Sequence, residues 1–339
     1  MLNLKIIVDA FGGDNAPVEI LKGCASAVAE YGVNILLVGS KEKIEKVANE
    51  NNILLYHMDI VDTPDVITME DDPGEIVREK SNSSMAKGLE LLAKGEGDAF
   101  ISAGNSGALV MGATFIVKRI KGIKRCAFAP VIPKEKGFFM LIDSGANVEC
   151  RPEMLQQFGI MGSIYMNRVM GVANPRVGLV NVGVEDHKGG QFQREVYEKL
   201  QNSDLNFIGN VEAREVPING ADVVVTDGFT GNIMLKLYEG VATVLMGKIK
   251  GVLTQNIKNK IAAAMILPEM KALKAEIDYN EYGGAPIMGL RKPVFKAHGN
   301  SSAKTFKNAI RLTIDYVNGN VAEEVAKSLE SFENQDKSL

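Results

Sequence analysis

Gly220-Ala-Asp-Val-Val-Val-Thr-Asp-Gly-Phe-Thr-Gly-Asn232 states a strand, a tight turn and a helix start in consecutive residues. Val223 to Val225 is a β-branched run with no alternating polar partner, the pattern of a strand buried on both faces of a parallel sheet. Asp227-Gly228 and Thr230-Gly231-Asn232 then supply turn formers and N-cap oxygens, and Ile233-Met234-Leu235-Lys236-Leu237 reads as the following helix. The helix N-terminus therefore falls at the carboxyl end of the strand. Parallel α/β sheets place ligands there, where unpaired N–H groups and the helix dipole favour an anion such as phosphate.

The same grammar recurs on both sides of this stretch. Leu4 to Val8 reads as a strand running into a glycine turn, with Pro17 opening a helix over Val18 to Tyr31. Asn34 to Val38 and Ile53 to Met58 read as strands around a helix over Lys41 to Asn51, with His57 a structural residue inside an apolar strand. Ser81 to Lys94 is a further helix. Asp98 to Ile101 leads through a glycine-rich turn into a helix reaching about Val117. Phe138 to Ile142, Arg176 to Val180 and Leu205 to Ile208 are strands that also end in Gly, Asn and Asp. If all are parallel, their ends line one crevice. Turn chemistry alone calls for Gly, Asp and Asn, but six such ends carrying small hydroxyl or amide side chains point to an anionic ligand.

Composition narrows the class. With 339 residues, 46% of them hydrophobic, the chain can build one large α/β core or two closely joined lobes. Cys24, Cys126 and Cys150 are odd in number and far apart, so a reducing compartment, the cytoplasm, is expected. No signal-peptide pattern precedes the first strand, and no apolar run reaches the length of a membrane span. A net charge of −4 argues against general nucleic-acid binding. There is no Gly-x-Gly-x-x-Gly after the first strand, no P-loop, and no His/Cys spacing for a metal, so neither cofactor nor metal is expected.

Eight segments in order resemble the bacterial phosphate acyltransferases, which make acyl phosphate from acyl-acyl carrier protein and inorganic phosphate. They are Asp9-Ala-Phe-Gly-Gly-Asp14, Ser102-Ala-Gly-Asn-Ser-Gly-Ala108, Asp143-Ser-Gly-Ala-Asn147, Gly178-Leu-Val-Asn-Val-Gly183, Phe207-Ile-Gly-Asn-Val-Glu212, Thr226-Asp-Gly-Phe-Thr-Gly-Asn232, Glu281-Tyr-Gly-Gly-Ala-Pro286 and His298-Gly-Asn-Ser301. The pattern departs from that family at Phe11, at Ser144 and around Glu185-Asp186-His187. The resemblance implies a three-layer α/β/α Rossmann-like sandwich, similar to isocitrate and isopropylmalate dehydrogenases and to phosphotransacetylase. It implies one catalytic domain over residues 1–330 working as a homodimer, and the polar composition of 331–339 reads as a frayed tail. It further implies that acyl phosphate passes to a membrane acyltransferase at the start of glycerophospholipid synthesis.

Within that reading, phosphate is expected among Gly104, Asn105, Ser106, Asp227, Gly228, Thr230, Gly231 and Asn232, with Asp9, Gly12, Gly13, Asp14, Asp143, Asn147, Asn181, Asn210, Asn300 and Ser301 at neighbouring strand ends. Lys236 shares a helix face with Asn232 and either supplies positive charge or is a solvated lysine. His298, before a second turn-to-helix pattern, is a candidate to donate to an oxyanion or protonate a departing thiolate, or else a loop-bonding histidine. His187 and Lys188 form a further candidate pair, and Cys150 lacks the His-Asp support that a nucleophile needs.

Two basic features suggest partners. Lys118-Arg119-Ile-Lys121-Gly-Ile-Lys124-Arg125 could dock an acidic carrier protein or simply complement a helix dipole. Residues 241–280 read as a protruding helical hairpin with a stripe of Leu245, Ile249, Leu253, Ile257 and Ile261 for dimerisation. Its apolar tip, Ala262 to Leu267, suits reversible contact with an anionic membrane. Other readings are a phosphotransacetylase-like enzyme using acyl-coenzyme A, a dehydrogenase on the same fold, and a non-catalytic membrane-surface scaffold.

Overall fold

A computed structural model describes residues 4–277 and 283–336. In chain order the first half contains β1 (Lys5–Asp9), α1 (Val18–Tyr31), β2 (Asn34–Gly39), α2 (Lys41–Glu50), β3 (Met58–Asp62), α3 (Ser84–Lys94), β4 (Ala99–Ser102), α4 (Ser106–Gly112), β5 (Ala127–Phe128), β6 (Val131–Pro133), β7 (Phe138–Ile142) and α5 (Pro152–Arg168). The second half adds β8 (Val177–Asn181), α6 (Gln191–Gln201), β9 (Phe207–Glu212), α7 (Val216–Asn219), β10 (Val223–Val225), α8 (Gly228–Thr254), α9 (Ile257–Met265), α10 (Leu267–Ile277), β11 (Gly284–Met288), β12 (Val294–Ala297), α11 (Ala303–Asn318) and α12 (Val321–Asp336).

The strands divide between two sheets instead of lining a single crevice. One sheet runs β3-β2-β1-β4-β12-β11-β5 and the other β6-β7-β10-β8-β9. Within the first, β3, β2, β1, β4 and β12 are parallel, while β11 is antiparallel to both its neighbours. In the second only β6 is antiparallel. This is a mixed α/β fold with two parallel-rich sheets. The parallel strands read as continuous apolar runs because both their faces are covered: Ile6, Ile7 and Val8 of β1 and all of Val223 to Val225 are fully buried. One core cluster joins β1, β4 and β12 to β7 and β10 through α1, α5, α11 and α12. Phe158, Tyr165, Phe295 and Phe306 are among its fully buried members.

Several boundaries differ from the sequence expectations, for local reasons. The third strand is Met58–Asp62, not Ile53 to Met58. Leu54 and Tyr56 are exposed, and His57 sits at positive φ with its ring against Asn34 Oδ1 at 3.1 Å. Helix α8 starts at Gly228 instead of Ile233, because the Asp227 side chain accepts the Thr230 N–H at 2.8 Å and caps the helix there. The helix after the second glycine turn closes at Ala113–Val117 in a π-helical turn. The expected hairpin is three helices, broken at Gln255–Asn256 and again at Ile266. The described part of the expected tail, 331–336, continues α12.

Helix α8 is seated on the β7 loop by two glycines. A Cβ at Gly231 would stand 1.9 Å from the Asp143 carbonyl oxygen, and one at Gly228 would stand 2.5 Å from that of Asn147. No side chain can occupy that gap without moving the helix. Gly231→Ala should therefore lower the thermal midpoint by several degrees, in line with an overpacking cost of about 1–3 kcal/mol. Circular-dichroism melting checks this, and an unchanged midpoint would refute the contact.

Candidate active site

The facing ends of the two sheets enclose a cleft of about 530 Å³. From the first sheet come Asp14 after β1, Ala103, Gly104 and Ser106 after β4, and Lys296, Ala297, His298 and Gly299 at the end of β12. From the second come Ser144 and Gly145 after β7, with Asn232, Leu235, Lys236 and Glu239 on α8. Phe128, Pro130, Val131 and Ile132 form an apolar wall continued by Leu235, and Met69 joins them in the lining. One region of the cleft thus carries cations and amides, and another suits a hydrocarbon chain.

Lys236 and Lys296 bring positive charge from opposite sides. Lys236 lies one helical turn beyond Asn232, so both project from the same face of α8 into the cleft. Lys296 donates to the carbonyls of Ala103 at 3.1 Å and Ala297 at 2.5 Å. Burial pulls its pKa down to about 8, against the opposing pull of Asp14 and Asp9. Sequence reasoning missed Lys296 and Glu239. The available signal was a lysine interrupting the buried run Val294-Phe295-Lys296-Ala297.

Many of the expected phosphate ligands build the loops from behind. Asp9 is buried and accepts from Ser84 Oγ and Ser102 Oγ, each at 2.7 Å, and from Phe11 N at 3.1 Å. Burial pushes its carboxyl up and these donors pull it down, burial being the larger effect. Asp143 plays the same part after β7. Its oxygens accept from the N–H groups of Phe128, Gly145, Ala146 and Asn147 at 2.7–3.1 Å and from Asn147 Nδ2 at 2.8 Å. Burial again raises its pKa most strongly. With oxygens committed to the protein's own donors, both carboxylates are organisers of the site.

Other residues are similarly engaged. Asn105 caps α4 through Ala108 N and donates to the carbonyls of Thr68 and Asp71. Asp227 holds Thr230 through both its N–H and its hydroxyl. Gly12 packs on the next loop, a Cβ there falling 2.7 Å from Gly104 N. Gly13 has φ +97°, and its side-chain space is taken by the Gly299 carbonyl and Ala103. Asp14 N donates to Gly299 O at 2.8 Å, and Asn15 Nδ2 donates to the carbonyls of Asn300 and Ser301. Ser301 Oγ returns to His298 O at 2.7 Å. The β1 and β12 loops are therefore joined, and they position His298 between them.

Asn181, Asn210 and Lys188 do not reach the cleft. They form a separate cluster beyond β10, with Asn181 Nδ2 donating to Lys188 O and Asn210 Oδ1, each at 3.1 Å. The Lys188 ammonium faces Glu185 at 3.8 Å, and His187 pairs with Asp186 on the surface. Burial, with help from Asp143, pushes the Cys150 thiol up to about 12, which leaves it a poor nucleophile near neutral pH. Glu281 and Tyr282 lie outside the described residues.

Comparisons place the chain in a known group. Two phosphotransacetylases, from Streptococcus pyogenes and Staphylococcus aureus (EutD), match the fold with TM-scores of 0.61 and 0.59 at 16% identity. They cover 97% and 96% of this chain, and each alignment spans 94% of the neighbour. Proteins named phosphate acyltransferase from Acetivibrio thermocellus and Clostridioides difficile are each 44% identical, over 332 and 335 residues, with 98% of both chains covered. The family model described as fatty acid synthesis protein matches residues 4–324. The chain belongs to the fatty acid synthesis protein family and, within it, to the phosphate acyltransferases.

Proposed function

We propose that this acyltransferase joins the acyl group of acyl-acyl carrier protein to inorganic phosphate, releasing acyl phosphate and the free carrier thiol. The observation that carries the reading is the cleft itself, in which Lys236 and Lys296 share one space with the apolar wall from Phe128 to Ile132. Phosphate sits between the two ammonium groups, with Asn232 and the Ser106 hydroxyl as further donors. The acyl chain lies along the apolar wall. A phosphate oxygen attacks the thioester carbonyl, the C–S bond breaks as the new C–O bond forms, and the thiolate leaves. Phosphate at neutral pH is already partly dianionic, so alignment and charge compensation supply most of the rate. His298 is placed to donate to the carbonyl oxygen as it gains charge or to hand a proton to the thiolate. Asp9, Asp143, Asn105 and Asp227 hold the loops that fix these positions.

In this reading the whole chain is the three-layer α/β/α, Rossmann-like arrangement of the isocitrate and isopropylmalate dehydrogenase type. The product passes to a membrane acyltransferase in glycerophospholipid synthesis, so the enzyme works in the cytoplasm at the membrane surface as a homodimer. Among the described residues no helix is long and apolar enough to cross a membrane. What supports surface contact is the exposed group Met265, Ile266 and Leu267 between α9 and α10. What supports dimerisation is that Leu245, Ile257 and Ile261 of the expected stripe are exposed, although the break between α8 and α9 interrupts its spacing, and that Phe229, Ile233, Leu237 and Val241 extend an exposed apolar row along α8.

The decisive assay is thiol release from long-chain acyl-acyl carrier protein with and without phosphate, with acyl phosphate trapped by hydroxylamine. Release that depends on phosphate is expected. Equal release from acyl-coenzyme A would move the enzyme to the phosphotransacetylase type, and no release from either would favour a scaffold.

The lowered pKa of Lys296 gives the reaction a pH signature. Its ammonium is charged below pH 8 and lost above it, so KM for phosphate should rise as pH climbs from about 7.5 to 9, with a smaller change in kcat. Lys296→Met should show a KM for phosphate raised about tenfold and flat across that range. A variant that retains the wild-type profile would remove Lys296 from the phosphate site.

Replacing Met265, Ile266 and Leu267 with Ser should abolish sedimentation with phosphatidylglycerol vesicles while leaving turnover in solution unchanged. Vesicle binding that survives the change would eliminate the tip as the contact.

A further inference from the structure

We propose that Lys118, Lys121, Lys124, Arg125, Arg291 and Lys292 form the docking surface for the acidic protein that delivers the acyl thioester, resting on the function proposed above. These residues come from two distant parts of the chain. Arg119 pairs with Leu290 as an isolated antiparallel bridge, Ile120 N donates to Gly289 O at 3.0 Å, and Arg291 N donates to Lys118 O at 3.0 Å. The turn between β11 and β12 is thereby fastened to the basic segment after α4. Arg119 braces the junction, its guanidinium donating to the carbonyls of Ile123 and Lys124, while Arg291 Nε returns to Arg119 O at 3.2 Å. The six named cations all remain exposed. Among the described residues none of them has a carboxylate oxygen within 4.0 Å. In a chain of net charge −4, a segment this rich in exposed cations is locally positive and attracts an acidic partner, an attraction that salt weakens.

The surface has more than charge. Beside it lies a groove of about 290 Å³ with Lys121 and Arg291 on one side and α12 on the other, floored by Ile120, Ala322, Ala326 and Leu329. Glu323 and Glu330 stand on the α12 side. Glu323 and Glu330 confine the positive charge to one edge of the groove, which favours a narrow partner of matching shape over the broad face of a bilayer. An amphipathic helix with acidic residues on one flank and apolar residues beneath matches both the cations and the floor. The patch also sits within reach of the chemistry. Strand β11 runs from Gly284 in the cleft toward the turn holding Arg291, about 17 Å for five residues, and Arg125 is three extended residues, about 10 Å, from Phe128 of the apolar wall. A flexible thioester arm spans such a distance.

The test is calorimetric binding of acyl-acyl carrier protein to wild type and to Lys121→Glu/Lys124→Glu/Arg291→Glu, with Gln at the same positions as a gentler variant and melting curves as a folding control. Wild-type Kd should weaken steeply from 50 to 300 mM NaCl. The Glu variant should bind at least about tenfold more weakly with a flatter salt dependence, the Gln variant should fall between, and turnover of a small acyl-pantetheine thioester should stay unchanged. Carrier binding within twofold of wild type in the Glu variant would overturn the proposal. So would equal losses with the small thioester, or loss of phosphatidylglycerol vesicle binding with carrier binding intact. A wild type that binds the carrier through these residues yet releases no thiol would refute the reaction and leave the surface standing.

Discussion

Two carboxylates buried at strand ends, Asp9 and Asp143, set the terms for everything around the cleft. A carboxylate removed from water must be met by donors on all sides or be expelled. Here the donors are the hydroxyls of Ser84 and Ser102 around one, and four backbone N–H groups with the Asn147 amide around the other. Each carboxylate thereby winds its loop into a fixed shape. The helix or loop that follows must then pack on that shape, which is why Gly12, Gly228 and Gly231 have no room for a side chain.

That rigidity makes the cleft electrostatics specific. Lys296 is held off solvent by the end of its own strand and directed across β4 by the Ala103 carbonyl, while Lys236 arrives from the opposite sheet on α8. Lys236 and Lys296 line the cleft together with Asp14 and Glu239, so the charges along it are of both signs, and Asp14 acts on Lys296 directly. The apolar segment from Phe128 to Ile132 connects the two sheets, bridging the edge strands β5 and β6. The cleft thus sets an apolar wall beside a polar, charged region, the pairing on which the proposed acyl transfer to an anion rests.

Beyond about Val241 helix α8 leaves the body, and α8 to α10 expose apolar side chains that no described element covers. Their exposure contrasts with the fully buried strand that precedes α8, Val223 to Val225. The chain therefore passes from the buried strand β10, through the start of α8 that lines the cleft, to an outer surface at the far end of that helix. Any contact made by the outer portion is mechanically joined to Asn232 and Lys236 at its start.

The sequence by itself determined most of the parallel strands, though not β12 and not the bounds of β3, together with their glycine and asparagine ends and the candidates Asn232, Lys236 and His298, because these are local statements. A β-branched run, a cap and a helical spacing are all written within a dozen residues. Position in the cleft was not local. Asn181, Asn210 and Lys188 carry the same turn grammar as Asn105 and Asn232, yet β10 stands between their strands and β7, so they gather elsewhere. Asp9 and Asp143 read in the sequence as neighbours of phosphate, and only the tertiary structure supplies the donors, distant along the chain, that their oxygens accept from. Lys296 was hidden in an apolar strand, and only the pairing of β12 with β4 brings it beside Ala103. The division into two sheets depends on strand order, which no single segment encodes. Tertiary structure decided these because burial and charge pairing are relations between residues distant along the chain.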